Sequence, residues 1–150
     1  MFHDIVNFYN LGCHMRKDSR LSRALHVLVH LNNADKPVTS EIIAKMLSTN
    51  PVVVRRMLAL LRDQGYVHST KGHNGGWELA KPLDSITLLD IHTSLGEGSI
   101  FTVGLTDEHT NCPIEIAVNN ALKDVMDEAE NLMLKRFGAI HLSVLEEEFK

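Results

Sequence analysis

The sequence predicts a mainly α-helical fold with one small β-hairpin and a long helix in its C-terminal half. Three observations carry that expectation. Between Ser19 and Gln64, three amphipathic segments are separated by short stretches that break helices. Between Tyr66 and Leu79, two short runs flank a gap holding Gly72, Gly75 and Gly76. From Pro113 to Phe137, apolar residues recur at alternating spacings of four and three with nothing to interrupt them.

The first helix is expected from Ser19, a candidate N-cap, to about Asn32, because Leu21, Ala24, Leu25, Leu28 and Leu31 recur at helical spacing. Asn32 to Pro37 breaks it. Thr39 suits the cap of a second helix, since Glu41 falls in the first turn, where the helix dipole favours negative charge. Ile42, Ile43, Met46 and Leu47 are its expected buried stripe. Pro51 fits the first position of a third helix that runs to Gln64 and is stopped by Gly65. At 100 degrees per residue, Val54, Met57, Leu58 and Leu61 fall on one side of it. Val52, Arg55, Arg56, Ala59 and Arg62 fall on the other, so its outer face is basic.

Tyr66 to Thr70 and Trp77 to Leu79 read as two strands joined by a glycine-rich tip. Together with the three helices they spell a winged helix-turn-helix. A further short helix is expected from Ser85 to about Leu95, capped near Ser85 and ended by Gly96. Gly96 to Asn111 lacks periodicity and reads as a flexible loop. The helix from Pro113 to Phe137 would be about 37 Å long at about 1.5 Å per residue. Its stripe of Val118, Leu122, Val125, Ala129 and Leu132, widened by Ala121, Met126, Met133 and Phe137, exceeds what one small domain uses, so it calls for a partner helix. Ser143 can cap a last short helix.

Composition narrows the function. At 150 residues and 44% hydrophobic content, the chain can bury one domain with an appended helical arm, not two large enzyme domains. No apolar run approaches the roughly 20 residues of a membrane span, and Met1 to His14 lacks the features of a secretory signal, so a cytoplasmic location without membrane contact is expected. The net charge of -4 conceals an asymmetry: Met15 to Lys81 holds eleven Lys and Arg against five Asp and Glu, whereas Pro82 to Lys150 holds four against thirteen. A basic front half suits a surface that neutralises phosphates.

The strongest constellation is therefore the third helix followed by the basic hairpin, since a helix fills the major groove while a hairpin tip reaches the backbone or minor groove beside it. Arg55 and Arg56 lie in the early turns, where guanidinium can grip guanine, and Val52 can touch a thymine methyl. Thr49 and Asn50 can donate to phosphate, and Arg62 and Lys71 can reach phosphate by charge. His73, at the hairpin tip, can enter the minor groove or stand as an ordinary turn residue. No nucleophile-base pair, paired carboxylates or phosphate-cradling loop points to an enzyme, and no catalytic residue is assigned.

At these residues the sequence resembles the Rrf family of bacterial winged-helix regulators, which includes IscR, NsrR and CymR. Three stretches carry the resemblance: Asn50-Pro-Val-Val-Val-Arg-Arg-Met-Leu-Ala-Leu-Leu-Arg-Asp-Gln-Gly-Tyr-Val67, Lys71-Gly-His-Asn-Gly-Gly-Trp-Glu-Leu-Ala80 and Ile86-Thr-Leu-Leu-Asp-Ile91. It implies a homodimer held by the long helix and contacts to double-stranded DNA from Thr49 to Arg56 and from Lys71 to Gly75, Asn74 included. It also implies that the family start lies at Met15, so that 1–14 is an extension that need not be ordered. The expected domain plan then has a DNA-binding domain over 15–95, a loop over 96–112 and a dimerisation region over 113–150. The expected function is a sequence-specific regulator, a repressor, binding a palindromic operator, with its effector left open.

Cluster-bearing members hold iron and sulfur through three cysteines before the long helix, but Glu97 to Pro113 contains Cys112 alone, and His109 cannot make up the set. No cofactor is expected. Cys112 fits the N-cap of the long helix, where it reads either as a redox-sensing thiol or, preferably, as a small residue packed at a loop-helix junction. His26 and His30, spaced i, i+4, would need two more ligands to hold a metal, so they read as a solvated or interface-facing pair opposite the leucine stripe, and no metal is assigned. A winged-helix module that binds protein instead of DNA is the rival reading.

Overall fold

The computed structural model describes residues 19–96 and 111–147. The expected extension over 1–14 with Cys13, most of the expected loop with His109, and the last three residues lie outside that set. The elements in order are α1 (Arg20–Asn32), α2 (Ser40–Met46), α3 (Pro51–Asp63), β1 (Val67–Thr70), β2 (Gly76–Leu79), a 3-10 turn (Leu83–Ser85), α4 (Leu88–Ser94), α5 (Pro113–Gly138) and α6 (Ser143–Glu147).

Capping chemistry sets most of these boundaries. Thr39 Oγ1 accepts from Ile42 N–H at the start of α2, and Asn50 Oδ1 accepts from Val52 N–H at 2.8 Å at the start of α3, with Pro51 following. Ser19 precedes α1 without a side-chain capping bond. Helix α4 begins later than its sequence suggests. Leu83–Ser85 forms a separate turn, and Thr87 makes a capping box with Asp90: Thr87 Oγ1 accepts from Asp90 N–H, while the Asp90 carboxylate accepts from Thr87 N–H at 2.8 Å.

One core joins the first three helices to the hairpin and α4. Ala24, Val27 and Leu28 of α1, Ile43 of α2, Val54, Leu58 and Leu61 of α3, and Ile86, Ile91 and Leu142 have almost no exposed surface. Ile42 departs from its expected place in the buried stripe: it is 56% exposed, and Ala44 is buried instead. At 100 degrees per residue Ile43, Leu47 and Ala44 fall within one arc of about 100 degrees and Ile42 lies outside it, so the side pressed on α3 includes Ile43 and Ala44.

The hairpin pairs antiparallel, with Val67 opposite Leu79 and Thr70 opposite Gly76. Val38, just before α2, adds a one-residue third strand: Val38 N–H donates to Trp77 C=O and Trp77 N–H donates to Val38 C=O at 2.9 Å. Gly76 makes this possible, since a Cβ there would lie 2.7 Å from the Val38 backbone. Trp77 is buried, and its indole N–H donates to Ser40 Oγ at 3.0 Å, which locks the wing to the start of α2.

Among the described residues helix α5 meets the winged domain through its C-terminal end. After it, Leu142 N–H donates to Ile86 C=O at 2.8 Å and Leu88 N–H donates to Ile140 C=O at 3.0 Å, and the Phe137 ring meets the edge of His92. None of the 26 residues of α5 is buried in the single chain. Among the described residues no helix is long and apolar enough to cross a membrane.

Candidate nucleic-acid interface

Helix α3 turns its two faces as its periodicity requires. Val54, Met57, Leu58 and Leu61 are buried, while Val52, Arg55, Arg56 and Arg62 are exposed and Ala59 is half-buried. The Cβ directions of a helix with 3.6 residues per turn permit no other sorting once the inner four are held in the core. Beside this face stands the wing tip, where Lys71, His73 and Asn74 are all exposed. Gly75 closes the tip: a Cβ there would meet Thr70 C=O at 2.3 Å, and its N–H donates to Gly72 C=O.

The arginines differ in their surroundings. Arg55 forms an ion pair with Glu41 of α2 across the turn between the helices. Arg62 pairs with its neighbour Asp63 at 3.0 Å, which partly offsets its charge toward an incoming phosphate. Thr49 is half-buried, with its N–H donating to Ala44 C=O, and Asn50 spends its side-chain oxygen on the helix cap. The carboxamide N–H group of Asn50 remains the donor that can serve a phosphate. A recess of about 260 Å³, lined in part by Thr39, Glu41, Arg55, Ser69 and Thr70, separates α3 from the wing.

Glu41 is the participant that sequence reasoning missed. Its local signal is that of a first-turn acid, and nothing in a spacing of fourteen residues announces a contact with Arg55; the turn between α2 and α3 creates it. A second missed feature supports the wing from below. Asp90 lies beside Tyr66 and Lys81: burial alone would raise its carboxyl pKa, but hydrogen bonds from Thr87 and Tyr66 and the charge of Lys81 outweigh that and hold it below the usual carboxylate value. Burial and the same Asp90 charge raise the Tyr66 phenol, whose ring also carries the Lys81 ammonium at 4.8 Å.

Cys112 is half-buried at the N-cap of α5, with no side-chain capping bond. On α5 the five candidate contact residues share one face: Val118, Leu122, Val125 and Leu132 are 51%, 43%, 66% and 64% exposed, and Ala129 is half-buried. Ile114, at 75%, extends the stripe toward the N-terminal end. The opposite side carries polar residues such as Lys123, which pairs with Asp127 at 2.5 Å. His26 and His30 are exposed and meet Nε2 to Nε2 at 2.9 Å. They share an apolar cleft with Leu21, Leu25 and Val29, so they do not stand wholly opposite the leucine stripe as expected.

The profile of the Rrf2 family, described as an iron-dependent transcriptional regulator, matches residues 17–148. YwnA of Bacillus subtilis, assigned as an HTH-type transcriptional regulator, is 33% identical over 116 residues, covering 77% of this chain and 86% of its own length. Among solved structures, a protein from Lactobacillus plantarum assigned as a transcriptional regulator superposes with a TM-score of 0.74 at 24% identity, covering 87% of this chain and 89% of its own. CymR, the global cysteine regulator of Bacillus subtilis, superposes with a TM-score of 0.50 at 26% identity, covering 73% and 87%. The chain has two cysteines in all, and among the described residues no three His, Cys, Asp or Glu side chains converge.

Proposed function

The chain belongs to the Rrf2 family of transcriptional regulators, and from that premise we propose that it binds an inverted-repeat operator in double-stranded DNA as a homodimer and represses transcription there. The observation that carries this reading is the exposed face of α3, with Val52, Arg55 and Arg56, standing beside an exposed wing tip in the half of the chain where basic residues outnumber acidic ones.

In this reading Arg55 and Arg56 enter the major groove and read guanine edges, and Val52 meets a thymine methyl. Asn50, Thr49, Arg62 and Lys71 hold phosphates and set the register; His73, Asn74 and Gly75 bring the wing to the neighbouring groove. A two-fold dimer through α5 places two such units side by side, so the half-site centres are expected about 34 to 36 Å apart, or a multiple of that. The face of Ile114, Val118, Leu122, Val125 and Leu132, uncovered in the single chain, supports the dimer. The family consists of transcriptional regulators.

The test is a titration of the protein against DNA from its own upstream region at several salt concentrations. Specific binding with a steep salt dependence is expected, and Arg55→Ala and Arg56→Ala should each weaken it by about 1 to 3 kcal/mol. Equal affinity for any sequence, or full affinity in both variants, would contradict the reading. A reporter gene downstream of the bound site distinguishes repression from activation.

A further inference from the structure

A concave feature larger than the recess beside α3 lies away from that helix. It is a cleft of about 710 Å³ between α1, α4 and the junction of α5 with α6. Its apolar walls are Leu21, Leu25 and Val29 from α1, Leu88 from α4, Phe137 from α5 and Leu145 from α6. Binding sites for small molecules have about 300 to 1,000 Å³ and mostly apolar walls with few convergent polar groups. This cleft meets each condition, and its polar groups are concentrated at the lip, where His26 and His30 converge. We propose that it binds a small molecule with an apolar, ring-sized body and one anionic head group, the head group being held by the His26–His30 pair.

The charge logic favours an anion. The imidazoles of His26 and His30 meet at 2.9 Å between their Nε2 atoms. Burial and the charge of His26 accordingly lower the pKa of His30. Among the described residues no Asp, Glu, Lys or Arg lines the cleft, and Glu146 of α6 is engaged by the Asn32 amide. An anion at the lip therefore meets the histidines with no competing carboxylate among the described lining residues, and its charge would favour the proton that burial disfavours on His30. The exposed stripe from Ile114 to Leu132 does not line the cleft, and of α5 only Phe137 does, so the cleft lies off the face proposed for the dimer.

The position gives binding a consequence. One wall, α1, shares its core with α3; the other belongs to the helices around the α5 anchor. An occupant would bridge the two, so it could report to the α3 face, a consequence that rests on the DNA-binding reading above.

The cleft can be tested without DNA, so failure here leaves that reading untouched. The probe is 1-anilinonaphthalene-8-sulfonate, whose fluorescence rises in dry apolar surroundings, compared with the uncharged N-phenyl-1-naphthylamine. Expected are saturable binding of one sulfonate probe per chain, tighter at acidic than at alkaline pH, and loss of binding in Ser22→Trp, which fills the cleft from an exposed position. The His26→Ala, His30→Ala double variant should bind the sulfonate about tenfold more weakly and the neutral probe as before, with unchanged circular dichroism in every variant. Non-saturable binding, sulfonate affinity indifferent to the histidines or to Ser22→Trp, or binding that disappears as rising chain concentration forms dimers would overturn the proposal.

Discussion

Replacing Val125 and Leu132 by Asp tests the assembly on which the DNA geometry depends. The two residues are 66% and 64% exposed in the single chain and lie seven residues apart on one stripe. Fully burying a Val or Leu side chain contributes about 1.5 to 3 kcal/mol, so covering the exposed two-thirds contributes about 1 to 2 kcal/mol at each position. A two-fold interface uses every position twice, which makes about 2 to 4 kcal/mol per position in the dimer. Val125→Asp with Leu132→Asp should then remove at least about 4 kcal/mol, before any cost of burying carboxylates, and weaken dimerisation by about a thousandfold or more. Sedimentation velocity over a range of chain concentrations reads this directly. Because no residue of α5 is buried in the single chain, the winged domain of the variant should keep its circular dichroism, while its melting temperature should lose its dependence on chain concentration. A double variant that sediments like the unmodified chain, or an unmodified chain that never exceeds the mass of one copy, would refute the assignment of this face.

Three further outcomes follow from particular contacts. Glu41→Gln removes the partner of Arg55; an exposed ion pair contributes about 0 to 1 kcal/mol, so thermal stability should barely move, whereas discrimination between operator and random DNA in competition titrations should fall as Arg55 loses its orientation. Gly76→Ala forces a Cβ into the Val38 backbone and should cost about 1 to 3 kcal/mol in urea unfolding, with faster amide exchange at Val38 and Trp77. His30 has its pKa lowered, first by burial and then by His26, so the folded chain takes up this proton less readily than the unfolded one. Its contribution is therefore intact above the ordinary histidine value of about 6.5 and is lost as pH falls below it; His30→Gln should flatten the decline in urea midpoint between about pH 7 and pH 5, and an unchanged slope would contradict this.

The parts of the fold legible in the sequence are those governed by neighbours along the chain. Asn50 and Pro51 announce the start of α3, Thr39 that of α2, and the period of Val118 to Leu132 runs along α5 as it was spelled. Where two local signals competed, the reading slipped: Ser85 and Thr87 both resemble caps, and the reciprocal bond with Asp90 decides for Thr87. The outer residues of α3 could be named from periodicity alone, because burying one face of a helix exposes the other.

Residues distant in sequence belong to a different class. That Glu41 meets Arg55, that Val38 joins the wing against Gly76, and that Leu21, Leu88, Phe137 and Leu145 enclose one cleft under a histidine pair depend on how the helices pack around Leu28, Leu58 and Ile91. The sequence by itself determined the helices, the hairpin, the basic face and the long apolar stripe, since each follows from backbone periodicity and local hydrogen bonding. The tertiary structure alone decided which side chains meet across elements and which apolar surface remains uncovered, because those outcomes are set by the close packing of one shared core.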